Sequence, residues 1–270
     1  MPDIFLHGAE VVQINDGLRP IRTIKSSVIA VVGTAPLATA DFPLNTPVLI
    51  AGPRQAAALG ADGTLLDAYN AAYAQGVQTM VVVRVAVGGT DAETLSNVTG
   101  TPAAGTGVYA LLNAANLTGQ KPKILAAPGF TSVTAAPASP VATALVTVAT
   151  RLRAIVVVDG PNTTEAAALS VIELYGSDRL YMVDPAVRVY DTATSTYVTM
   201  PASGFAAGII SRMDVTNGFW WSPSNQLVGG IVGTARPVTF GISDPETEAS
   251  VNYPTTPIIF VDPIQQHHLT

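Results

Sequence analysis

The chain has 270 residues, 48% of them hydrophobic and only 12% charged, and its formal net charge is −6. That hydrophobic share supports a sizeable core, whereas the charged share lies well below the ~25% usual for soluble domains. Part of the surface is therefore expected to be covered by other molecules, the alternative being a weakly charged monomer with a Ser, Thr and Asn surface. An acidic balance argues against a nucleic-acid partner, which favours a basic stripe. With no cysteine, disulfides and thiolate metal sites are excluded. The N-terminal MPDIFLHGAEVV lacks the basic start and long apolar run of a signal peptide. No apolar run approaches the ~20 residues of a membrane span, so no direct membrane insertion is expected.

Residues 1–20 alternate loosely, with Ile4, Phe5, Leu6, Val11, Val12 and Ile14 broken by Gly8 and Gly17, and read as an extended arm. SSVIAVVGT (26–34) and PVLIA (47–51) are strand-like, and Gly52-Pro53 is a turn and helix-start signal. Between Thr64 and Gln75 the residues Leu65, Leu66, Tyr69, Ala72 and Tyr73 recur at helical spacing, and Gly76 is the natural stop. TMVVVRVAV (79–87) is too apolar for a half-exposed strand. Residues 88–107, rich in Gly, Thr and Ala, read as a loop dividing a first α/β part (21–100) from a second part (101–240).

The second part has the clearer rhythm. Lys123 to Ala127 reads as a strand, Pro140 to Arg153 as a helix, and AIVVV (154–158) as a strand. Asn162, three residues before Glu165, resembles a capping box and predicts a helix running to about Leu174 and closed by Gly176. RLYMV (179–183) completes a parallel βαβαβ unit. A hairpin follows over Val187–Tyr190, DTATST and Tyr197–Thr199, then a short helix over Ala202–Arg212. Next comes GFWWSPSN, which holds both tryptophans. Residues 241–270 form an irregular tail in which Thr256 to Val261 is one candidate strand. The expected fold is α/β (mixed α+β): a βαβαβ core unit with additional strands and an extended N-terminal arm.

In such a unit a site is expected at the carboxyl ends of the strands. The loops APGFTS, DGPNTT and DPAV bring Ser132, Asp159, Asn162, Thr163 and Asp184 there, where a carboxylate pair would suit general acid-base work or Mg²⁺. Against this, Asp before Gly or Pro is ordinary turn chemistry, and Asn162 already has its capping role. No nucleophile elbow or phosphate loop occurs, and GTGVYALLNA has only two glycines of a dinucleotide fingerprint with no good strand before it. His7, His267 and His268 all lie near the termini. No catalytic residue, cofactor or metal is therefore expected, and an enzyme using Asp159 and Asp184 is the distant alternative.

Several stretches together resemble contractile tail sheath proteins of tailed bacteriophages (myovirus type) and R-type bacteriocins. They are FLHGAEVVQINDGLRPIRTIKSSVIAVVGTAP, FPLNTPVLIAGPRQAAALG, KILAAPGFTS, RLRAIVVVDGPNTT, RLYMVDPAVRVYDTATST and GFWWSPSNQLVGGIVGTARPV, in order from about residue 4 to about residue 240. DGPNTT, VYDTATST and FWWSPSN are specific in combination. The resemblance implies a structural subunit that polymerises as stacked six-fold rings around a tail tube, contacts baseplate and tail terminator proteins, and contracts to drive the tube through a bacterial envelope. It implies a place in the virion tail, after assembly in the host cytoplasm. A headless contractile bacteriocin and a non-contractile sheath-like tail protein stay open as alternatives.

By the same resemblance, the arm residues Ile4, Phe5, Leu6, Val11, Val12 and Ile14 would add a strand to a neighbour's sheet. After GTARPV the tail SDPETEASVNYPTTPIIFVDPIQQHHLT departs from the family, whose members usually continue into a further region that receives such arms and faces the tube. Trp220 and Trp221 are expected either both to clamp their segment onto the α/β unit, one from each side, or to split, one filling this core while the other, or Phe219, faces a neighbouring subunit. Adjacent aromatic side chains cannot enter one small core by the same route.

Overall fold

Strands buried on both faces read as unbroken apolar runs, and four such runs lie side by side here. The computed structural model describes residues 27–192, 194–224 and 226–236 together with a strand at 258–260. β1 (Ile29–Thr34) lies between β3 (Met80–Val85) and β4 (Ile124–Ala126), parallel to both, with Ile29 opposite Met80 on one side and Ile124 on the other. β5 (Ile155–Asp159) and β6 (Leu180–Asp184) continue the parallel ladder. β2 (Pro47–Ile50) closes one edge antiparallel to β3. The parts expected at 21–100 and 101–240 thus join in a single seven-stranded sheet, ordered β10-β6-β5-β4-β1-β3-β2. β10 (Ile258–Phe260) pairs parallel with β6, inside the stretch predicted as a strand. The arm at 1–20 lies outside the described residues.

Alternate residues face opposite layers. Ala30, Val32, Val81, Val83, Leu125, Val156 and Val158 pack beneath α5 (Pro140–Leu152) and α6 (Glu165–Ile172). Ile29, Val31, Val82, Ile124 and Val157 face α2 (Leu65–Tyr73) and α7 (Ser203–Thr216). The short α1 (Pro53–Ala56) follows β2, and α4 (Ala114–Thr118) precedes β4. α2 and α7 approach closely because α7 carries Gly208, where a Cβ would lie 3.0 Å from the Cα of Ala72. β7 (Val187–Asp191), β8 (Thr196–Met200) and β9 (Gly233–Thr234) form a separate three-stranded sheet, ordered β8-β7-β9, that contains the predicted hairpin.

Three expectations are corrected. Residues 88–107 are not all loop: α3 (Asp91–Thr99) forms there, its Thr90 hydroxyl accepting the Glu93 N–H at 3.2 Å. Its sequence is polar and only Val98 is buried, so it shows little apolar period. The cap of α6 is Thr164 rather than Asn162. Asn162 adopts φ +52 and is held by more distant partners, as set out below. The helix expected over 202–212 runs on to Thr216, and Gly218 at φ +96 follows it.

Candidate functional site

The chain turns at the carboxyl ends of β4, β5 and β6 bring together the residues singled out in the sequence. Asp159 ends β5 and is 7% exposed. Its Oδ1 accepts the Ser203 N–H at 2.9 Å. Its Oδ2 accepts the Ser203 hydroxyl at 2.9 Å, and the Thr131 hydroxyl and the Gly129 N–H at 3.2 Å each. Burial pushes the carboxyl above its usual 3.8, against the downward pull of the bonds from Ser203, Gly129 and Thr131. Ser203 is the first residue of α7, so this carboxylate also lies where the positive end of the helix favours an anion.

Asp184 ends β6 and is fully buried. Its Oδ1 accepts the Asn162 N–H at 2.8 Å, and its Oδ2 pairs with Nη2 of Arg236. Asn162 in turn accepts the Ala186 N–H on its Oδ1 at 3.1 Å, bracing the turn between β6 and β7. Ser132 donates to the Gly160 carbonyl at 2.7 Å. Thr163 is exposed. Beside these groups lies a cleft of ≈ 210 Å³ lined by Ser132, Asn162, Ala186, Thr199, Met200 and Pro201.

The structure therefore brings Ser132, Asp159, Asn162 and Asp184 to one edge, but each carboxylate is committed to its own donors. Asp159 joins β5 to α7, and Asp184 joins β6 to the strand pair at Arg236. The geometry is that of two anchors rather than of a general acid-base pair. Among the described residues no group of three His, Cys, Asp or Glu gathers to hold a metal ion. The partners that decide this, Ser203 and Arg236, lie 44 and 52 residues from the aspartates they bind, and no local motif announces them.

The aromatic turn has the opposite character. Phe219, Trp220 and Trp221 are 62%, 70% and 56% exposed, so neither a clamp of both tryptophans onto this chain's own α/β unit nor one of them filling its core is seen. The turn itself is ordered by backbone bonds, Gly218 N–H to the Met213 carbonyl at 3.2 Å and Trp221 N–H to the Gly218 carbonyl at 3.1 Å. Phe219 and Trp220 meet edge to face, with centroids 5.2 Å apart. The segment beyond is fastened instead by Gln75, whose side-chain amide donates to the Gly229 carbonyl at 2.7 Å and accepts its N–H at 2.9 Å.

These features define a three-layer α/β domain whose buried polar residues anchor its own elements and whose largest aromatics point outward. Residues 103–263 match the family model of the phage tail sheath protein central domain, and residues 26–85 match that of the tail sheath protein Gp18 domain III N-terminal region. The first match covers more than half of the chain, and the chain belongs to the phage tail sheath protein family. It is 39% identical over 252 residues to a prophage major tail sheath protein of Pseudomonas aeruginosa (strain UCBPP-PA14), covering 92% of this chain and 64% of that protein. It is 33% identical to the tail sheath protein of Escherichia phage P2, covering 91% of this chain and 63% of that one. It thus spans just under two thirds of the length of these relatives. The fold is similar to that of the anti-feeding prophage helical sheath in its contracted state, with TM-score 0.58, 16% identity, 95% of this chain and 65% of that chain.

Proposed function

We propose that this protein is a subunit of a contractile phage tail sheath, polymerising as stacked six-fold rings around a tail tube and contracting to drive the tube through the bacterial envelope for genome ejection. The observation that carries the reading is the match of residues 103–263 to the sheath central domain. The aromatic turn supports it: Phe219, Trp220 and Trp221 are large, ordered and outward, and aromatic side chains of this kind anchor protein interfaces. We assign them to contacts with a neighbouring subunit. The arm residues Ile4, Phe5, Leu6, Val11, Val12 and Ile14 would add a strand to a neighbour's sheet. Tail tube, baseplate and tail terminator proteins are the proposed further partners, and the virion tail, assembled in the host cytoplasm, the proposed location. No catalysis, cofactor or nucleic acid has a part in this function, in keeping with Asp159 and Asp184 serving as anchors.

The test is electron microscopy of the purified protein. Six-fold rings or tubes are expected, and the same assembly at two lengths would mark contraction. Discrete monomers that melt at a higher temperature with a small-molecule ligand would overturn the reading in favour of an enzyme.

A further inference from the structure

Among the described residues most charges are sorted to opposite ends of the main sheet, with Asp214, near the end of α7, an exception at the amino end. At the amino ends of β4, β5 and β6, Lys123, Ala154 and Arg179 lie side by side in the ladder: the Ile155 N–H binds the Lys123 carbonyl, and the Val156 N–H binds that of Arg179. Lys121 precedes β4, and Arg151 and Arg153 end α5 at the same level, where Lys123 donates to the Leu152 and Arg153 carbonyls at 3.0 and 3.1 Å. Burial, and then the charges of Lys121, Arg153 and Arg179, push the Lys123 amine below its usual 10.5, as expected of a cluster of like charge. Glu173 and Asp178 are the carboxylates on the segment leading into β6 at this end.

The carboxyl ends carry the opposite sign. Asp41 lies in the loop after β1, and Asp62 lies in the loop whose Thr64 N–H binds the Thr34 carbonyl at the end of β1. Asp67 stands in the first turn of α2, and Asp91 and Glu93 in the first turn of α3, which follows β3. Asp191, at the end of β7, lies close enough to Asp67 to raise its carboxyl. The cations here are Arg188, over the Tyr197 ring, and Arg84, whose Nη1 donates to the Phe42 carbonyl. Asp159 and Asp184 are buried and already partnered, Asp184 by Arg236.

We propose that copies of this chain bind head to tail, the basic amino edge of one sheet docking on the acidic carboxyl edge of the next. The occupant of each face is a second copy, because one chain presents both halves of the match. The faces are also offset. The cations lie under β4, β5 and β6 and the carboxylates over β1 and β3, roughly two to three strands away, or about 10–15 Å at ~4.8 Å per strand. A heterologous contact of this kind leaves both faces of every added copy able to bind again, so it propagates as a row unless its rotation closes a ring. This deepens the sheath reading and rests on it, by naming the faces that meet.

The experiment uses two charge-reversed forms of the full chain: Lys121→Glu with Arg151→Glu, acidic at both ends, and Asp41→Lys with Asp62→Lys and Asp67→Lys, basic at both ends. All five residues are exposed, and thermal melts followed by circular dichroism check that the monomers fold. Sedimentation velocity is expected to show each form alone as monomer. An equimolar mixture should assemble like the wild type, and that assembly should be lost near ~0.5 M salt, where the Debye length shrinks to a few ångströms. The milder Lys121→Gln with Arg151→Gln should weaken wild-type assembly without abolishing it. Either reversed form assembling alone as the wild type does, or a mixture that stays monomeric, overturns the head-to-tail contact. Wild-type rings unaffected by reversal leave the sheath reading standing without this contact. Salt-sensitive wild-type rows without rings or tubes support the contact and overturn the sheath reading.

Discussion

The Asp159 carboxylate receives both the N–H and the hydroxyl of Ser203, each at 2.9 Å, tying the end of β5 to the first turn of α7. Removing the carboxylate leaves buried donors without an acceptor. Asp159→Ala should therefore cost on the order of 3 kcal/mol, and Ser203→Ala, which removes one hydroxyl bond to a charged group, about 1.5–3 kcal/mol. Because the two groups share one network, the double variant should lose less than the sum. Urea unfolding of the four proteins checks this, and strict additivity would show that the bond contributes nothing specific.

Arg236, its side chain only 16% exposed, forms the other anchor. Asp184 is fully buried, and the guanidinium is its charged partner. Arg236→Met should cost about 3–5 kcal/mol, because it strands a buried charge. Adding Asp184→Asn should recover part of that loss. Thermal melts of the single and double variants provide the comparison, and a single variant as stable as the wild type would contradict the role given to the pair.

Asp67 gives a pH dependence of known sign. Burial, and then repulsion from Asp191, raise its carboxyl above 3.8. The folded state thus holds the Asp67 proton more tightly than the unfolded chain. The stability linked to it is complete below pH 3.8 and is lost as pH rises through the folded value. Asp67→Asn should therefore be more stable than the wild type at pH 7, with the gain disappearing near pH 3.5. A gain that instead grows on acidification would reverse the assignment.

The aromatic turn separates stability from assembly. Trp220 and Trp221 are mostly exposed, so replacing both with Ala should shift monomer stability by no more than about 0.5 kcal/mol. If they are interface anchors, each should cost about 2 kcal/mol or more in association. Unchanged melting with lost polymers is the expected pair of results, and polymers of normal length would remove the turn from the interface.

The layered core was legible because its chemistry is local. VVVRV in β3, Arg84 apart, and AIVVV around β5 are apolar on both faces, and the helix over Leu65–Tyr73 repeats at helical spacing. α3 was not legible, since one buried residue in nine leaves almost no period to read. Asn162 and Thr164 are both good caps by residue type, and the choice between them turns on bonds to Asp184 and Ala186, more than 20 residues away. The two aspartates were located from sequence, but their role was not, because Ser203 and Arg236 reach them only through the tertiary fold. The exposure of Trp220 and Trp221 was hidden for a related reason: residue type alone favours burial, and only the placement of the turn at the far end of α7 keeps them out of the core.

β10 brings a different liability to light. Its three residues pair with Met182, Val183 and Asp184 of β6, whose Leu180, Met182 and Val183 are buried, and occupy the hydrogen-bonding edge that this part of β6 would otherwise present. An open edge of that composition is a template for indiscriminate strand addition. Versions of the protein cut back before Ile258 should thus be troubled less by unfolding than by precipitation. This short strand acts as a guard on the sheet, keeping that border out of reach of stray polypeptide.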